Sequence, residues 1–176
     1  MPWVSQGRTE TSPEGAKENA VIMNASRRHV IPAIFYGGLL AGALDISAAF
    51  LVYGYLGAKP ISLLQGIAAG MLGPRSFNGG LATAALGLFF QFLIATIWTT
   101  IYVIASRSIS FLITSAPLAG VLYGTFVYFF MNRVVVQLSA ARKYPFTIRG
   151  MVIGVVIHIF CIGLPIALVT RHFARE

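Results

Sequence analysis

Four polar residues stand inside long apolar stretches of this chain, one to a stretch: Asp45, Gln91, Asn132 and His158. Each is a type that hydrocarbon disfavours unless it meets a partner, so together they form the candidate interior polar site. Asp45 is the one acidic residue among them, and an ionised carboxylate without partners is strongly disfavoured there, so it is either protonated or paired. One reading makes it a proton or cation site; the other makes it a hydrogen-bonding residue that fixes helix register. His158 raises a haem ligand, with Met131 or Met151 to complete the pair, set against a hydrogen-bonded structural histidine. His29 and His172 fall at membrane edges and give only weak grounds for metal. Asn132 reads as polar glue to an adjacent helix, and neighbouring Arg133 either pairs with Asp45 or snorkels to the headgroups. No nucleophile-base-acid set, Gly-rich phosphate loop or paired-carboxylate site is present, so catalysis has no positive support and no cofactor is predicted.

These residues need elements to hold them, and composition says of what kind. The 176 residues are 57% hydrophobic and 10% charged, far more apolar than a soluble domain. The formal charge of +8 comes from Lys and Arg at the ends of apolar runs, a membrane-flank pattern that argues against nucleic acid as a partner. The lone Cys161 precludes an intramolecular disulfide.

Four segments, at about 31–57, 79–106, 115–138 and 148–170, are long enough to cross a bilayer. Between the first two, Pro60 and Pro74 bracket a short apolar helix over 60–73, interfacial or re-entrant. The expected fold is therefore an all-α, polytopic membrane bundle over 29–176, preceded by a polar tail at 1–28 without helical periodicity. Glu10, Glu14 and Glu18 in that tail argue against a transit peptide. The small residues Ala41, Gly42 and Ala43 have the form of a cleavage site, but the apolar run continues past them, which favours an uncleaved anchor. Lys and Arg are split almost evenly between the two sides; Arg8 and Lys17 of the tail tip the expectation to both termini in the cytoplasm.

Small residues three and four apart mark expected packing faces. They are Gly38 and Gly42 in the first span, Gly80 and Gly87 in the second, Gly120 and Gly124 in the third, Gly150 and Gly154 in the fourth. Cys161 and Pro165 extend the fourth stripe. At 100° per residue Asp45 and Gln91 fall within about 20° of their glycine rows, and Asn132 and His158 about 80° away. Aromatic residues cluster at Phe89, Phe90 and Phe92 and at Tyr123, Phe126, Tyr128, Phe129 and Phe130, as packing and lipid contact or as a surface for a quinone or pigment.

The strings LLQGIAAGMLGPRSFNGGLATAALGLFFQFLIA, VIASR, LYGTFVYFFMNRVVVQLS and HIFCIGLPIAL carry a resemblance over roughly residues 30–172. The chain resembles a set of small four-span bacterial inner-membrane proteins of unknown function. Gln91 stands where that group tends to have histidine, and Gln137 where it tends to have proline before the Leu-Ser element. The resemblance implies fold and an inner-membrane location, and no reaction. Function on these grounds is a noncatalytic subunit or self-assembling scaffold, a homo-oligomer or part of a larger membrane complex, docking through its Gly-rich faces. The alternatives are a proton- or ion-coupled permeation unit centred on Asp45, or a binder of haem, quinone or pigment near His158.

Overall fold

A computed structural model describes the backbone of residues 13–143 and 146–175, and side chains from His29 onward within those limits. All the regular structure described is helical. Helix α1 runs Pro13–Tyr55, α2 Pro60–Leu72 and, after a 3₁₀ turn at Gly73–Asn78, α3 Gly80–Ser106. A single turn, α4 (Phe111–Thr114), leads into α5 (Ala116–Phe130), which continues through a π-helical turn at Met131–Val135 into α6 (Val136–Leu138). The last span is α7 (Ile148–Ile157), a second π-helical turn at His158–Gly163, and α8 (Leu164–Phe173).

Four stretches are long and apolar enough to cross a membrane: His29–Tyr55, Gly80–Ser106, Ala116–Leu138 and Ile148–Phe173. They coincide with the expected spans to within a few residues, and α2 with the expected short helix. At the N-terminus the helix starts earlier than the expected tail allowed. Residues 1–12 lie outside the described residues, and from Pro13 the backbone is already helical and runs into the first span. The segment Ala16–Ala25 is rich in helix formers, and propagation from an existing helix avoids the cost of a new nucleus.

The spans pack in the order second, first, fourth, third. α1 lies antiparallel to α3 on one side and to the fourth span on the other, and the fourth span lies against α5. α3 and α5 meet mainly through large side chains: the Trp98 indole stands edge-on to Tyr123, Phe126 and Phe130, with ring centroids 5.3–6.2 Å apart. Trp98, Tyr102, Ala119, Val127 and Ile166 are buried at the centre of this core, with Ala41 of α1. α2 crosses the start of α3. Gly87 sits there, where any Cβ would collide with the Leu64 carbonyl.

Candidate functional site

Asp45 and Gln91 face each other across the α1–α3 seam. The Gln91 amide donates to the Asp45 carboxylate at 2.8 Å, and both side chains are half-buried. Each lies within about one helical turn of the midpoint of its span. Their approach depends on the small residues beside them. A Cβ at Gly42 would lie 2.7 Å from the Phe92 ring, and one at Gly38 2.8 Å from the Thr96 hydroxyl, so neither position tolerates a side chain without displacement. Gly37, outside the expected stripe, does the same against Thr99.

A carboxylate accepts and an amide donates, so this pair satisfies one carboxylate oxygen and one amide hydrogen. Among the described residues no bonded cation accompanies it: Arg133, the tempting counter-ion, is exposed and sits over the Phe146 ring at 5.5 Å. α3 carries further polar groups toward both ends. Near its start Gln65 of α2, buried, donates to the Gly80 carbonyl at 3.0 Å, and Thr83 donates to the Ser76 carbonyl at 2.6 Å. The Ser76 hydroxyl, fully buried in the same turn, finds no hydrogen-bond partner among the described residues. Toward the other end Thr96 and Thr99 face Gly38 and Gly37, and Thr99 bonds back to the Ala95 carbonyl at 2.8 Å.

The other two expected members of the site lie elsewhere. Asn132 is exposed, and its amide bonds the Tyr128 carbonyl of its own helix at 2.9 Å, so it joins neither Asp45 nor another helix. His158 is half-buried on the opposite seam, its ring 5.4 Å from that of Tyr128 and its Nδ1 2.9 Å from the Gly154 carbonyl. A carbonyl can only accept, so Nδ1 carries the proton. Both residues belong to π-helical turns. Each stands at the start of its turn with α-helix before it, so the 100° arithmetic that set both about 80° off their glycine rows still applies, and both lie off the Asp45–Gln91 seam.

The glycines need similar correction. Gly120 and Gly124 pack against the π turn of the fourth span, with Gly124 meeting the His158 backbone, and Gly154 meets the Tyr128 ring. Gly163, unforeseen, is packed directly on the Gly120 and Gly124 backbones. A Cβ at Gly80 would meet nothing within 4 Å among the described residues. Its φ of +56° makes it a conformational glycine at the entry to α3. At Gly150 a Cβ would meet only Thr147, whose hydroxyl caps α7 by accepting from the Gly150 amide at 3.2 Å; this glycine packs against no other helix.

A lateral groove of about 440 Å³ lies between the first two spans, lined by Ile31, Ile34, Phe35, Leu39, Phe92 and Thr96. It borders the Asp45 seam, not His158. Compared with protein-family models, curated proteins and solved structures, the chain matches none. What places it is its own architecture: an all-α bundle with four candidate membrane spans, the pattern of a multi-pass membrane protein.

Proposed function

We propose that this protein is a proton- or ion-coupled permeation unit centred on the Asp45–Gln91 pair. One observation carries the reading: the sole acidic side chain in any of the four spans accepts a hydrogen bond from a neutral amide at mid-membrane, with no bonded cation among the described residues. An ion pair would hold the carboxylate charged, whereas an amide partner stabilises it only in part. Such a group can take up and release a proton or coordinate a small cation. The polar residues of α3 above and below it support a route along that helix.

Purified protein reconstituted into liposomes with an internal pH-sensitive dye tests this. Asp45→Asn should lower proton flux at least about tenfold, the scale expected when an essential titrating group is removed, while expression and melting stay close to the parent. Flux that is equal in parent and variant sinks the reading.

A second reading, a noncatalytic subunit of a homo-oligomer or larger complex, draws on a separate observation. The packing glycines Gly38, Gly42, Gly87, Gly120, Gly124 and Gly154 are occupied within the chain, but Asn132 and Gln137 are exposed on the third span, where a partner helix would cover them. Native mass spectrometry from mild detergent decides it: a multiple of 19.0 kDa or a stable partner supports the subunit, and a bare monomer rejects it. Placement in a bacterial inner membrane with both termini cytoplasmic completes the proposal, supported by the sequence resemblance and by Arg8 and Lys17 near the N-terminus.

A further inference from the structure

The choice of ion, which rests on the permeation reading, is limited by what surrounds the Asp45–Gln91 pair. A hard metal cation is held by about six oxygen atoms, and at membrane depth the carbonyls of unwound helix supply many of them. Here α1 and α3 are continuous α-helix through Asp45 and Gln91, so their carbonyls are engaged within the helices. The residues three and four positions from Asp45 on α1, and from Gln91 on α3, are all Ala, Gly, Leu or Ile, and none offers a side-chain oxygen. From the fourth span, whose π turn packs on α1, Cys161 stands close enough to Asp45 to feel its charge, and a thiol is a soft ligand that suits other metals. Among the described residues the Gln91 amide is the one hydrogen-bond partner of the carboxylate, and it presents an N–H, the wrong pole for a cation. A cation that keeps its own water needs room, and the seam is tight: a Cβ at Gly42, one turn before Asp45, would already lie 2.7 Å from the Phe92 ring. The groove of about 440 Å³ that borders the seam is lined by apolar side chains and Thr96.

A proton asks for none of this. It needs one oxygen to bind and a partner that suits both forms of the acid. An amide is such a partner, because its N–H groups donate to a carboxylate and its oxygen accepts from a carboxylic acid. We propose that the Asp45–Gln91 pair carries protons and excludes metal cations, with Gln91 the residue that sets this choice. A proton taken from water binds a carboxylate oxygen of Asp45. The Gln91 amide, which donates to that carboxylate at 2.8 Å, then turns so that its oxygen accepts the new O–H, and turns back when the proton leaves to water. Asp45 carries the proton, and Gln91 acts through it as a positioning residue.

The test uses the full-length protein in liposomes that hold either a pH-sensitive or a sodium-sensitive dye, with Asp45→Asn as the baseline. The proton flux that Asp45→Asn lacks should change by less than about twofold when sodium chloride is replaced by potassium or choline chloride, because no metal cation competes for the carboxylate. Sodium entry should agree between parent and Asp45→Asn to within about twofold. Gln91→Leu keeps a similar volume without the amide; it should lower proton flux at least about tenfold, leave sodium entry at the baseline and retain a monodisperse peak. Sodium entry that depends on Asp45, or proton flux that sodium lowers by more than about twofold, overturns the proposal while permeation through Asp45 stands. Parental proton flux in a folded Gln91→Leu overturns the role given to Gln91; should that variant not fold, the ion replacement in the parent still decides. Equal flux of both ions in parent and Asp45→Asn rejects the permeation reading itself, and the choice of ion falls with it.

Discussion

The seam between α1 and α3 and the layer between α3 and α5 join the same helix to its two neighbours by opposite means. In the seam Gly37, Gly38 and Gly42 bring backbones together until a methyl group has no room. In the layer Trp98, Tyr123, Phe126 and Phe130 hold the helices apart and fill the gap with edge-on rings. Polar groups follow suit. Across the seam side chain meets side chain, Gln91 on Asp45. In the layer the Tyr123 hydroxyl reaches the Trp98 carbonyl at 2.6 Å and the indole N–H meets the Met131 sulfur at 3.4 Å, so no titrating carboxyl is involved. Close approach suits a short polar side-chain pair; wide spacing suits aromatic packing that satisfies its few polar atoms locally. The contact between α5 and the fourth span is a second seam of the first kind, built on Gly120, Gly124 and Gly163.

Overfilling a seam should do the most damage. Gly163→Leu drives a side chain into the Gly120 and Gly124 backbones, neither of which can swing aside as a flexible side chain does. A loss of about 3 kcal/mol or more is expected, read as a lower unfolding midpoint in detergent or as loss of a monodisperse peak. Emptying the layer is milder when only the hydroxyl goes: Tyr123→Phe removes the hydroxyl's bond to the Trp98 carbonyl, which keeps its own helical bond within α3, and should cost about 1 kcal/mol. Gln91→Leu leaves the Asp45 carboxylate without its donor. The acceptor then has no partner, and a loss of about 1 kcal/mol in the same unfolding measurement is expected. Smallest of all is Gly150→Ala, expected within about 0.5 kcal/mol of the parent, because this glycine lies in no seam. A large loss there, or none at Gly163, would erase the distinction between seam and non-seam glycines.

Asp45 and Gln91 were legible as a pair of inward-facing groups because both lie in uninterrupted α-helix, where 100° per residue holds. Gly38, Gly42, Gly120 and Gly124 were legible for the same reason, each preceding any π turn in its helix. Gly163 was not. At 100° per residue it falls about 180° from Gly154, yet both face the third span, because the π turn at His158–Gly163 lies between them. Asn132, expected to reach an adjacent helix, bonds the Tyr128 carbonyl one turn back on its own helix, a choice of partner that spacing does not reveal. Gly80 was read as a packing residue because spacing carries no information about φ.

Sequence by itself determined the number and limits of the candidate spans, the short helix between the first two, and which polar residues fall inside those spans. Those follow from the transfer of side chains out of water, a property of each residue and its near neighbours that needs no knowledge of the fold. Only the tertiary structure decided which helices touch. It set Asp45 on Gln91 and left Asn132 and His158 apart from them. It also docked Ala140, after the third span, on Gly70 near the end of α2. In lipid the hydrophobic effect gives no preference among apolar faces, so these pairings rest on where backbones can approach and on where a π turn rotates the chain.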